Sequence, residues 1–97
     1  MADVQFLPAA QDDYEEALAW YQARSPHAAL GFQASVADGV QRVADQPDSY
    51  PSIDKRHRRC LLKRYPFSLI YRIETFGPLV VAVAHSRRSS RYWRGRT

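Results

Sequence analysis

The sequence predicts an α+β fold in a single domain, residues 1–97, with the order β-α-α-β-β-β: a helical hairpin packed on a small, mostly antiparallel sheet. Three observations predict it. Apolar residues recur at helical spacing as far as about Ala44, and they alternate at strand spacing from about Arg59 onward. Between the two regimes, Gln46 to Lys55 has neither period and carries Pro47, Asp48, Ser49, Pro51 and Ser52, the composition of a loop.

The elements follow in order. Val4 to Leu7 reads as a short opening strand stopped by Pro8, which suits the first turn of a helix because its missing N–H costs nothing there. Asp12 and Asp13 then place negative charge toward the positive end of the helix dipole. Tyr14, Ala17, Leu18 and Tyr21 form an apolar stripe, with Asp13, Glu15 and Glu16 off it and facing water. Ser25-Pro26 restarts a helix, Ser25 as its N-cap. Ala29, Phe32, Val36, Val40 and Val43 carry the second stripe until Pro47. So short a connection predicts an antiparallel hairpin, packed on the sheet through Leu18, Tyr21, Phe32, Val36 and Val40.

Arg59 to Tyr65 reads as the second strand, broken by Pro66. Phe67 to Ile73 alternates, placing Phe67, Leu69, Tyr71 and Ile73 on one face. Thr75-Phe76-Gly77-Pro78 is a turn, and Leu79 to Ala84 is apolar on both faces, as a central strand covered on each side should be.

At 97 residues there is room for one modest core. No apolar run approaches the roughly 20 residues that cross a membrane. No basic and apolar leader opens the chain, so the cytoplasm is the expected address. The lone Cys60 excludes an internal disulfide and reads as a packing residue. His27, His57 and His85 lack metal-ligand spacing, and four scattered glycines form no phosphate loop, so no metal or cofactor is expected.

Charge is divided sharply. Residues 1–50 hold two basic side chains against eight acidic ones, a balance of −6, whereas residues 51–97 hold twelve against two, a balance of +10. Such asymmetry implies that the second half meets a polyanion or an acidic partner. Its basic and aromatic residues are Arg56, His57, Arg58 and Arg59 at the entry to the second strand, Lys63 and Arg64 at its exit, and Arg72 in the third. His85, Arg87, Arg88, Arg91, Tyr92, Trp93, Arg94 and Arg96 follow the fourth. Arginine and lysine neutralise phosphate and aromatic rings stack on bases, but Arg, Tyr and Trp are also the residues of protein interfaces. His85 admits two readings: a histidine closing the core, or a general acid or base at a strand end beside arginines.

Four stretches together resemble the RelE/ParE superfamily of bacterial toxins: A..DYEEALAWY, F...V..GV..V...P..YP, R..LL.RYPFSLIYRI and VVAVAHSRRSSRYW..R. The resemblance spans nearly the whole chain and implies the toxin of a type II toxin–antitoxin module, held in a hetero-complex by a cognate acidic antitoxin. It also implies one of two activities. RelE-like members are metal-independent endoribonucleases that cut ribosome-bound mRNA with basic residues and a terminal tyrosine; ParE-like members poison DNA gyrase. The nuclease residues would fall on Lys63, Arg64, His85, Arg87 and Tyr92, the terminal aromatic corresponding to Tyr92 or Trp93. The nuclease pattern, however, has an arginine just after the aromatic that opens the middle strand, and here Ser68 follows Phe67. A serine cannot stabilise developing phosphate charge as a guanidinium does. The resemblance therefore implies target inhibition without cleavage, with the nuclease as alternative and a degenerate, antitoxin-binding regulatory partner as a weaker third. The surface expected to meet target or antitoxin comprises Arg58, Arg59, Lys63, Arg64, Arg72, Arg87, Arg88, Arg91, Tyr92 and Trp93.

Overall fold

The computed structural model describes residues 3–97. Its elements are β1 (Gln5–Phe6), α1 (Pro8–Arg24), α2 (Pro26–Asp45), β2 (Arg58–Leu61), β3 (Phe67–Glu74) and β4 (Gly77–His85), followed by a 3₁₀ turn at Ser90–Tyr92. The predicted order is the one observed. The sheet runs β1-β4-β3-β2, with β1 parallel to β4 and β3 antiparallel to both neighbours. Among the described residues no helix is long and apolar enough to cross a membrane.

Pro8 opens α1 and Ser25 caps α2, its hydroxyl accepting the Ala28 N–H at 3.2 Å. Two expectations about α1 need correction. Because the helix begins at Pro8, Asp12 and Asp13 lie beyond its first turn, which carries no acid. Asp13 does not face water either: its side chain is 10% exposed and points to the sheet.

The helical hairpin covers one sheet face. Ala17, Phe32, Val36 and Val43 meet Leu62, Leu69, Tyr71, Val80 and Val83 in the main core, with Leu18, Tyr21 and Val40 packed against it. Phe32 is fully buried, its ring 5.2–5.8 Å from those of Tyr14, Tyr21, Tyr65 and Phe67. The approach is close enough that a β-carbon on Gly39 would meet Leu62 Cδ2 at 2.7 Å. Cys60 is buried in the same core, as its packing role predicts.

The second strand is shorter than the Arg59–Tyr65 expected. After Leu61 the chain turns, Leu62 entering the core while its N–H donates to the Phe67 carbonyl at 2.9 Å. Arg64 makes this turn at φ 70, a left-handed conformation uncommon for a residue with a side chain. In β3, Phe67, Leu69 and Tyr71 face the helices as expected, but Ile73 is 43% exposed, at the hairpin tip opposite Pro78.

β4 is buried from Pro78 to Ala84, the central strand that its composition implies. Its register shifts once: Ile70 pairs with Ala82 but Tyr71 with Val80, leaving Val81 as an extra residue. Val81 and Ala82 therefore both serve the second face, where they join Ile70, Ala84 and Trp93 in a smaller core. The loop before β2 is tied by Asp54, which accepts from the backbone N–H groups of Arg56 (2.8 Å) and His57 (2.7 Å), from the His57 ring (3.0 Å) and from Arg94 (2.8 Å).

Two stability predictions follow from this packing. Phe32→Ala should lower the unfolding free energy by about 3–5 kcal/mol in urea titration; an unchanged midpoint would mean that the α2 phase is wrong. Burial opposes ionisation of Asp54, but the backbone N–H groups of Arg56 and His57 and the His57 ring outweigh it, holding the carboxyl well below its ordinary value. A depressed folded value contributes stability above the unfolded pKa, about 4, and loses it as pH falls below that. The gap between wild type and Asp54→Asn should accordingly be widest near neutrality and close under acid conditions; a gap constant down to pH about 3 would refute the assignment.

Candidate functional site

Among the described residues β1 pairs with only two residues of β4, and no strand covers the same edge of β4 beyond Val80. Its backbone groups find side chains instead. Asp13 Oδ2 accepts the Val83 N–H at 3.1 Å, Arg96 donates to the Val81 carbonyl at 2.9 Å, and the Tyr92 hydroxyl reaches the Val83 carbonyl at 3.4 Å. Arg96 and Asp13 also pair with each other at 2.7 and 3.2 Å, with side chains 18% and 10% exposed. The C-terminal segment is thereby strapped back along the sheet rather than projecting from it.

Between α1, this edge and the strap lies an open groove of about 510 Å³. Ala17, Trp20, Tyr21, Phe67 and Val83 give it apolar walls; Asp13, Glu16, His85, Arg88 and Tyr92 supply the polar rim. Trp20 is 53% exposed, with the Arg24 guanidinium 3.8 Å from its ring centre. His85 stands edge-on to Phe67 at 5.0 Å, and its Nδ1 accepts the Arg87 backbone N–H at 3.1 Å, which leaves the proton of the neutral ring on Nε2. It is thus partly buried and hydrogen-bonded while still lining the groove.

The expected basic residues fall into separate groups. Lys63 and Arg64 follow β2 at the sheet end where β3 starts and β4 finishes, and the Ser86 N–H bonds the Pro66 carbonyl at 2.8 Å there. Lys63, Arg64, His85 and Arg87 therefore share one end of the sheet. Arg58 and Arg72 lie toward the other end, four and five positions along β3 from Phe67, on the order of 15 Å away. Arg58 donates to the Asp48 and Tyr50 carbonyls at 3.1 and 2.8 Å. Arg72, expected on the surface that meets target or antitoxin, is 7% exposed instead and donates to the Arg96 carbonyl at 3.1 Å. Arg59 and Arg88 border a shallower depression on the second face with Ser68, Ser90 and Arg94.

The aromatic pair is similarly divided between packing and surface. Trp93 is 3% exposed, its indole packed in the second core and against the His57 ring at 5.0 Å. Tyr92 is partly buried, with the Arg88 guanidinium 3.7 Å from its ring centre. Burial first, and the Asp13 charge second, push its phenol up to about 12, so it stays protonated at neutral pH. Arg91 is exposed on the 3₁₀ turn. Sequence reasoning missed Asp13, Glu16, Trp20 and Arg96 as groove or strap residues. A tryptophan on the polar side of the α1 stripe was the available signal for Trp20.

Two helices on a four-stranded mixed sheet, with a strapped arginine-rich tail, define a small α+β fold, and the same fold is seen in a solved chain of the chromosomal ParDE TA system from P. aeruginosa. That chain superimposes with a TM-score of 0.73 at 21% identity, covering 88% of this chain and 96% of its own. Over residues 4–90 the sequence matches the family described as the ParE toxin of type II toxin–antitoxin system, parDE, and the chain belongs to that family of toxins, whose modules pair toxin with antitoxin. Among curated proteins none matches it.

The Asp13–Arg96 pair should be the most sensitive polar contact of the strap. Asp13→Asn leaves a largely buried guanidinium without its anion and should cost about 3 kcal/mol. The same substitution should raise hydrogen exchange at the Val83 amide. A double-mutant cycle with Arg96→Gln should give a coupling energy above about 1 kcal/mol; additive effects would show that the two residues act separately.

Proposed function

We propose that this chain arrests bacterial growth by binding and inhibiting an essential cytoplasmic target without cutting RNA, and that an acidic antitoxin neutralises it in a hetero-complex. DNA gyrase is the target that the ParE affiliation suggests. The observation that carries this reading is Ser68. It is 5% exposed at the start of β3, beside Trp93 and Ala84, and it occupies the position where the nuclease pattern requires a guanidinium. Losing one such charge stabiliser typically costs on the order of 10²–10³ in rate. Arg72 does not replace it, because its guanidinium is bound to the Arg96 carbonyl farther along the sheet. Tyr92, the terminal tyrosine of that pattern, keeps its proton and aims its hydroxyl at the Val83 carbonyl.

The groove supports the partner side of the reading. An apolar trough ending in His85 and Arg88 fits an antitoxin segment that combines apolar anchors with carboxylates. Arg88 on its rim, with Arg87 next to it in the chain, supplies cationic contacts for antitoxin or target.

One observation favours the second reading, ribosome-dependent mRNA cleavage: Lys63, Arg64, His85 and Arg87 share one sheet end, and His85 has a nitrogen free of the backbone bond. The decisive experiment induces the chain in a bacterial host and follows both outcomes. Growth should stop, a gyrase-dependent DNA-damage response should rise, and Arg87→Ala or Arg88→Ala should weaken it, while mRNA 5′ ends stay unchanged. Codon-phased cleavage abolished by His85→Ala would replace inhibition with the nuclease. Normal growth at confirmed soluble expression would instead support a degenerate regulatory partner.

A further inference from the structure

At the opposite end of the sheet, where β2 begins and the β3–β4 hairpin turns, lies a separate cavity of about 270 Å³ that shares no lining residue with the groove. Its walls are Lys55, Arg56, Arg58, Arg72, Ile73 and Glu74. Five of the six are ionisable, four cations against one carboxylate.

The cations differ in what already holds them. Arg58 is fixed by two loop carbonyls, which orient its guanidinium without cancelling its charge. Arg72 is buried; one terminal nitrogen is held by the Arg96 carbonyl, but Nε, also buried, makes no hydrogen bond. Glu74 Oε1 lies 3.3 Å from that nitrogen, near enough to attract it but not aligned to accept its proton. A buried guanidinium N–H without an aligned acceptor is uncommon, even with the Glu74 carboxylate standing beside it. Lys55 and Arg56 stand exposed at the rim, and among the described residues no hydrogen bond or ion pair engages the side chain of either.

We propose that this cavity binds the backbone phosphates of a nucleic-acid strand, Arg58 and Arg72 holding one phosphate while Lys55 and Arg56 contact its neighbours. An acidic peptide is the competing occupant. A peptide site needs an apolar pocket for an anchoring side chain, and only Ile73 offers apolar surface in this cavity. A phosphodiester needs charge density and room, both present here. Phe76, half-exposed in the turn between β3 and β4, adds a ring on which an unpaired base can stack. The proposal holds whichever target the toxin inhibits.

The test measures fluorescence anisotropy of labelled duplex DNA, single-stranded DNA and RNA with the isolated full chain across a salt series. Lys55→Gln/Arg56→Gln removes two exposed cations that make no internal bond, and circular dichroism checks that the fold persists. Affinity should fall about tenfold at low salt, and the slope of log affinity on log salt should flatten by about 1.4–1.8, the value for two phosphate contacts. The matched pair Lys63→Gln/Arg64→Gln, at the other sheet end, should change affinity much less. Preference for a single strand, reduced by Phe76→Ala, would assign that strand as the ligand; equal affinities would assign the backbone alone. Equal losses from both pairs would overturn the site in favour of diffuse attraction. So would unchanged affinity in Lys55→Gln/Arg56→Gln, or that variant losing a polyglutamate peptide while keeping nucleic acid.

Discussion

The rest of the structure depends on an unfinished sheet edge. β4 is the central, most buried strand, yet its β1 partner contributes only Gln5 and Phe6. A buried strand cannot leave its N–H and C=O groups unpaired, because each orphan costs about 1–3 kcal/mol. The chain answers with side chains from its two extremes: Asp13 from α1, and Tyr92 and Arg96 from the tail. Arg96 and Asp13 are 83 positions apart in sequence and still form the least exposed acid–base pair of the first and second halves. The strap, the second core under Trp93 and the groove beside α1 all follow from that one deficit. A longer β1 would fill the groove and remove the reason for the tail to fold back.

The same constraint explains the mixed character of the tail. Its arginines are not equivalent. Arg96 satisfies a strand carbonyl, Arg94 ties the Asp54 loop, and Arg88 lies over the Tyr92 ring. Trp93 fills the face that the helices leave uncovered. A short strand-end segment of basic and aromatic residues thus does structural and surface work residue by residue.

Element order was legible in the sequence because period is a local property: two helical stripes, the Ser25-Pro26 restart and the alternation after Pro66 each announce themselves within a few turns. The Val81 bulge was not legible, since a run of small apolar residues reads the same in either register. The end of β2 was misplaced because Leu62 leaves the strand by entering the core, and an apolar residue looks alike in both roles. For the site, the convergence of Lys63, Arg64, His85 and Arg87 could be expected from antiparallel pairing. The burial of Arg72 and Trp93, and the pairing of Asp13, could not. Each depends on a partner distant in sequence, and no local pattern marks an acid on a helix as the acceptor for a strand amide.

Fold and charge asymmetry are finally one arrangement. Of the positive side chains after residue 50, Arg58, Arg72, Arg94 and Arg96 are held by hydrogen bonds to groups within the chain. Those bonds fix Arg58 and Arg94 on the loop before β2, Arg96 on the β4 edge and Arg72 against the tail. Of the remaining cations, Lys55 and Arg56 lie at one end and Lys63, Arg64 and Arg87 at the other, separated by roughly the 25 Å length of an eight-residue strand. At physiological ionic strength charges that far apart are screened from each other, since the Debye length is about 8 Å. The two ends therefore behave as separate electrostatic sites, and an acidic segment seated at one leaves the field at the other nearly unchanged. Under the two proposals made above, the chain meets two anionic partners at once, the groove beside α1 opening beside only one of the sheet's ends.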